Sequence, residues 1–208
     1  MAIVVMVVGA LAQVASWRLV AARRLTVWTG VVPVLAASGG AALATGRVHL
    51  SPRVSWAVAT GVGLGAGLAF FVATGAAVWV ASLWPPLRRA TRAVYQQGAG
   101  LPLAAAVLIS LAFAIPGEEL FWRGLFQDRA ADAAGRVGGM ALAWAGYVGM
   151  NWSSGSLPIA VAGVVGGAMW GALAFWTGGV LAPFLCHAVW TGLMIARPPV
   201  RRSARAGV

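Results

Sequence analysis

Long runs without a single charged side chain dominate this chain, among them "WAVATGVGLGAGLAFFVATGAAVWVASLW". A helix needs roughly 20 apolar residues to cross a hydrocarbon core of about 30 Å, and such runs recur from end to end. Charged residues make up 9% of the chain and hydrophobic ones 61%, against the roughly 25% charge of a soluble domain. The expected fold class is therefore all-α: a polytopic transmembrane helical bundle of about seven spans. The apolar segments lie near 2–17, 26–45, 54–84, 101–122, 139–152, 159–176 and 180–196.

Two segments are irregular. The third is too long for a perpendicular helix and should be tilted, or broken within "GVGLGAGLAF". The fifth is short and ends at "NWSSGSLP", whose Ser, Gly and Pro mark a turn. Between the third and fourth, "PPLRRATRAVYQQGAG" joins a proline break to arginines, as in an interfacial helix or loop. The N-terminal run has no basic residues before it, so it reads as an uncleaved first span rather than a signal peptide.

All fifteen basic residues are arginine and the net charge is +11. Arg18, Arg23 and Arg24 form one cluster, Arg88, Arg89 and Arg92 a second, and Arg197, Arg201, Arg202 and Arg205 a third. Clusters beside apolar spans set topology. With the N-terminus outside, these ten arginines face the cytoplasm, while Arg47, Arg53, Arg129 and Arg136 lie outside. No soluble segment is long enough to display a nucleic-acid surface, so the bilayer is the expected partner of this charge. The Ala, Gly and Arg bias without lysine suggests a GC-rich bacterium and hence its plasma membrane. The lone Cys186 excludes an intramolecular disulfide and suits a packed small hydrophobe.

The four acidic residues, Glu118, Glu119, Asp128 and Asp132, fall within fifteen positions of one another. Ionisable groups inside a membrane domain are costly, and they face the interior, paired or functional. In "PGEELFWRG" Glu119 and Arg123 are four apart and can pair on one helix face. Glu118 is turned by about 100° from Glu119 and is left free to act as a general base toward water. The bland alternative is a structural ion cluster of both glutamates with Arg123 and Arg129. Further along, His187 and Thr191 share a helix face, as do Tyr147 and Asn151. His49, in "RVHLSPR", carries no functional expectation.

"EELFWRG", with the downstream "TGGVLAPFLCHAVWT", resembles the EExxxR and HxxxN-type motifs of the CPBP family of intramembrane proteases. That family includes CAAX prenyl endopeptidases and bacterial proteins linked to bacteriocin self-immunity. The resemblance covers roughly 100–195. It implies three parts: N-terminal spans over 1–98, a protease core over 99–196, and a basic cytoplasmic tail over 197–208. It implies an endopeptidase of the glutamic type, formerly regarded as metallo, that cuts a peptide bond in or near the membrane. Glu118 would activate water with the residue at 151, and His187 and Thr191 would stabilise the oxyanion. Glu119 and Arg123 would form a structural ion pair.

One motif departs: where the family has FxxxH, this chain has Tyr147-Val-Gly-Met-Asn151. Asparagine hydrogen-bonds water but does not take up a proton at neutral pH. A catalytic zinc needs about three protein ligands, and with no second motif histidine no metal is expected. A peptide or membrane protein is the expected substrate, and the inferred source argues against farnesylated ones. Two other readings stand beside the protease: a catalytically degenerate immunity or scaffold protein, suggested by Asn151, and a small proton-coupled transporter, suggested by the membrane carboxylates.

Overall fold

The computed structural model describes residues 1–98 and 100–199. Among these, all regular structure is helical. Helix α1 spans Ala2–Ala21 and α2 spans Val27–Ala44, the latter opening on a π-helical turn. At its start the Thr26 and Thr29 side chains each accept from the other's backbone N–H, which satisfies two donors that a helix N-terminus leaves free. Helix α3, Trp56–Ala81, is one unbroken helix of 26 residues, ~39 Å long. The glycine-rich stretch therefore does not break it. Gly63 and Gly67 instead let α3 approach another helix: a Cβ on either would meet the carbonyl oxygens of Ala182 and Cys186.

Helix α4, Pro85–Gln97, is the amphipathic segment anticipated between the spans, and none of its residues is fully buried. The next stretch, Leu103–Trp152, has 50 residues, more than twice what one crossing needs. It is broken at Gly135, where φ is +71°, a backbone that glycine adopts without steric cost. The chain doubles back there into α5 (103–134) and α6 (136–152). Four residues beyond the break, a Cβ on Gly139 would collide with the Ala131 backbone, so the two arms touch. Helix α7 is Leu157–Thr177 and α8 is Leu181–Ala196. Gly178, at φ +75°, turns the chain between them.

Apart from α4, these helices make seven apolar passes, and this is a multi-pass membrane protein. Large apolar side chains such as Val4, Leu11, Val72 and Leu108 are exposed on outward faces, where lipid rather than water would meet them. The core is aromatic: Phe121, Trp122, Tyr147 and Trp170 are buried together with Met150 and Cys186. Cys186 fills a packed position, as expected from its apolar surroundings.

The two ends of the bundle differ in charge. One end carries the α1–α2 turn, α4 and the end of α8, and with them Arg18, Arg23, Arg24, Arg88, Arg89, Arg92 and Arg197. At the other end the loop after α2 is stitched to the α7–α8 turn: Arg53 N–H donates to the Thr177 carbonyl, and Val180 N–H to that of His49. Arg47 there bridges Asp128 at 3.0 Å and Asp132 at 2.7 Å, and Arg129 pairs with Asp132. The rest of the basic tail, Arg201, Arg202 and Arg205, lies outside the described residues.

Candidate active site

The glutamates lie where α5 presses most closely on α2. A Cβ on Gly117 would fall on the Leu35 carbonyl, and one on Gly39 would fall on Gly117. Only glycine at these two positions allows so close an approach. Two π-helical turns, Ser110–Ala114 and Leu120–Phe126, flank the glutamates. Such widened turns recur at functional sites because they shift which side chains share a face.

Glu119 is 1% exposed and Glu118 9%. Glu119 Oε1 pairs with Arg123 Nη1 at 3.3 Å and with His187 Nδ1 at 2.7 Å. Arg123 is held on its other sides by the Gly167 carbonyl, to which Nη2 donates at 3.4 Å, and by the Tyr147 ring, 4.3 Å from Cζ. His187 stacks on Trp170, with ring centroids 3.8 Å apart and planes 15° from parallel. A buried chain Arg123–Glu119–His187 thus links α5 to α8. Arg129 takes no part, being paired with Asp132, so the four-member ion cluster weighed from the sequence does not form.

Glu118 lies outside this chain of charges. It lines a cavity of about 370 Å³ together with Tyr147, Asn151, His187 and Thr191. Tyr147 lines the same wall as Glu118. Asn151 Nδ2 donates to the carbonyl of Tyr147, one turn back, at 2.9 Å. Gly163 lies against the Asn151 side chain, where any Cβ would be crowded. Thr191 Oγ1 is buried and has no hydrogen-bond partner among the described residues, which leaves its hydroxyl available to a group entering the cavity. The N-terminal spans share this cavity: Trp17, Val31, Leu35 and Thr74 line it, and most of its wall is apolar.

Every site residue named from the sequence is therefore found around one buried layer, with Glu118, Asn151, His187 and Thr191 facing the cavity and Glu119 and Arg123 behind it. Sequence reasoning missed two contributors. Tyr147 reads as an aromatic packing residue, and only its hydroxyl, at the position of a motif phenylalanine, hinted at more. Gln13 is fully buried in α1 and accepts from Trp122 Nε1 at 2.9 Å, bracing the residue before Arg123. A lone amide inside an apolar span was the available signal. Among the described residues no three His, Cys, Asp or Glu side chains form a group suited to a metal ion.

Residues 100–193 match the family model described as Rce1-like, type II CAAX prenyl endopeptidase. Neither a curated protein nor a solved structure matches the chain.

Proposed function

Residues 100–193 belong to the CPBP family of membrane proteases, and from that premise we propose that the chain is a membrane-embedded endopeptidase with Glu118 as its general base. The observation that carries the reading is the division of labour between adjacent glutamates. Glu119 is committed to Arg123 and His187, whereas Glu118 faces the cavity without an ion-pair partner among the described residues.

In the proposed reaction Glu118 takes a proton from water as the water oxygen attacks the peptide carbonyl carbon. Negative charge gathers on the carbonyl oxygen. Thr191 Oγ–H donates to it, together with the His187 ring, which Glu119 fixes through Nδ1. Such a donor typically contributes a factor of about 10²–10³. The C–N bond then breaks and Glu118 returns its proton to the leaving amine, which gives a free acid and a new N-terminus. Tyr147 orients the Glu118 carboxylate. Asn151 contributes its amide oxygen and its second N–H to the water.

The donor set favours carboxylate-activated water over a zinc-bound one, since about three ligands would be needed and no such group is present among the described residues. The cavity is within the range of small-ligand sites, about 300–1,000 Å³. Its apolar wall suits an apolar peptide segment from a membrane protein. We assign catalysis to 99–196, with 1–98 supplying cavity wall and 197–208 a basic tail, and the plasma membrane of a bacterium as the location.

Comparative N-terminal proteomics of membrane fractions tests this, using cells that carry wild-type protein, Glu118→Gln or Asn151→His. New N-termini that disappear with Glu118→Gln are expected, and they identify the substrate. A second reading, a family member without catalysis, draws on the Asn151 amide bonded to its own helix. It is favoured if wild type and Glu118→Gln give the same N-termini while Asn151→His gives new ones.

A further inference from the structure

We propose that α4 is a binding surface for the head groups of anionic phospholipids, which hold it as a roof over the cavity mouth. The helix has two faces. Arg88, Arg89 and Arg92 are exposed on one, while Thr91, Val94 and Tyr95 on the other line the cavity. That pattern, arginines outward and apolar or small residues inward, is that of a helix lying in the interface plane. Trp79 and Trp84, just before it, are 68% and 61% exposed, as in the aromatic belt at head-group level. The far end is tied down: Trp28 Nε1 donates to the Gly98 carbonyl at 3.2 Å.

Charge selects the occupant. Seven described arginines sit at this end of the bundle, and all four carboxylates of the chain lie elsewhere, two buried beside the cavity and two at the opposite end. None of Arg18, Arg23, Arg24, Arg88, Arg89, Arg92 and Arg197 has an acidic partner among the described residues. A surface this cationic with no internal neutralisation is complementary to a bilayer leaflet rich in phosphatidylglycerol. Each arginine near such a surface contributes about a fivefold preference, on the order of 100-fold for the three on α4. Bound lipid then keeps the inner face of α4 over the cavity, so lipid composition sets how often the mouth opens.

Hydrogen exchange of the intact protein in nanodiscs reads this directly and needs no substrate. One set contains phosphatidylcholine alone and the other 30% phosphatidylglycerol; both are compared with the triple variant Arg88→Gln/Arg89→Gln/Arg92→Gln. Backbone amides of 87–97 in the wild type are expected to exchange on the order of 100-fold more slowly with phosphatidylglycerol, and the difference should shrink at high salt. In the triple variant the two lipid sets should coincide, with the other helices unchanged. Equal exchange of wild-type α4 in both lipids, or a lipid effect that persists in the triple variant, would overturn the proposal. Either result leaves the reading of Glu118 untouched, since exchange in α4 does not depend on catalysis.

Discussion

Replacing Glu119 by glutamine isolates the charge at the base of the site. Glu119 and Arg123 have side-chain exposures of 1% and 2%, with 3.3 Å between Oε1 and Nη1. At that separation two unit charges attract by about 5 kcal/mol for an effective dielectric constant of ~20. Glutamine keeps the shape and an acceptor oxygen for His187 Nδ1, so little but the charge is removed. Arg123 then keeps the Gly167 carbonyl and the Tyr147 and Trp170 rings but has lost the carboxylate it pairs with. Removing one partner of a buried pair costs about 3–5 kcal/mol. At roughly 2–4 °C per kcal/mol for a chain of this size, the melting midpoint should fall by about 6–20 °C. Tryptophan fluorescence during thermal unfolding in detergent measures it. The double variant Glu119→Gln/Arg123→Met removes both charges and should recover most of the loss, because an apolar replacement of a buried pair is close to neutral. A single-variant shift below about 2 °C, or a double variant less stable than the single one, would refute the argument that Arg123 depends on this carboxylate.

Two further substitutions probe other parts of the site. Thr191→Val removes a hydroxyl that bonds to no other group among the described residues, so cleavage of the substrate identified by proteomics should slow by about 10²–10³ with an unchanged melting midpoint. Thr191→Ser should keep most of the rate, and a slow Thr191→Val that is also unstable would make the residue structural. Gly117→Ala places a methyl group against the Leu35 carbonyl and the Ala36 amide nitrogen. Backbone cannot rotate away as a side chain can, so the cost should reach at least the roughly 1–3 kcal/mol of ordinary overpacking. Wild-type stability in that variant would show that α2 and α5 stand further apart than described.

The apolar passes were legible because a bilayer demands length and low charge, and both are written locally. The Glu119–Arg123 pair was legible for a similar reason: its four-residue spacing is a property of one helix. His187 meeting Glu119 was not legible, since those residues are 68 apart in the chain and no local period links them. The π-helical turns around the glutamates left no sign either. Neither "SLAFA" nor "LFWRGLF" has a local pattern that spells out a widened turn. The glycines of α3 were ambiguous in isolation, because a weak point and a close-packing point have the same composition. The partner decides between them, and here it is α8.

The break at Gly135 also sets an order of events during synthesis. It makes α5 and α6 two arms of one hairpin, so Glu118, Glu119, Arg123, Tyr147 and Asn151 all belong to a unit that is complete before α8 leaves the ribosome. Chains fold N-terminal part first as they are made, and the stacking of Arg123 on Tyr147 joins the two arms without outside help. His187 and Thr191 arrive later, on a helix that must then slot along α3. Until it does, the nascent hairpin holds a carboxylate and a place for water but no donors for an oxyanion. Under the proposed mechanism the newborn chain is therefore chemically silent while it is still threading into the membrane beside other unfolded polypeptides.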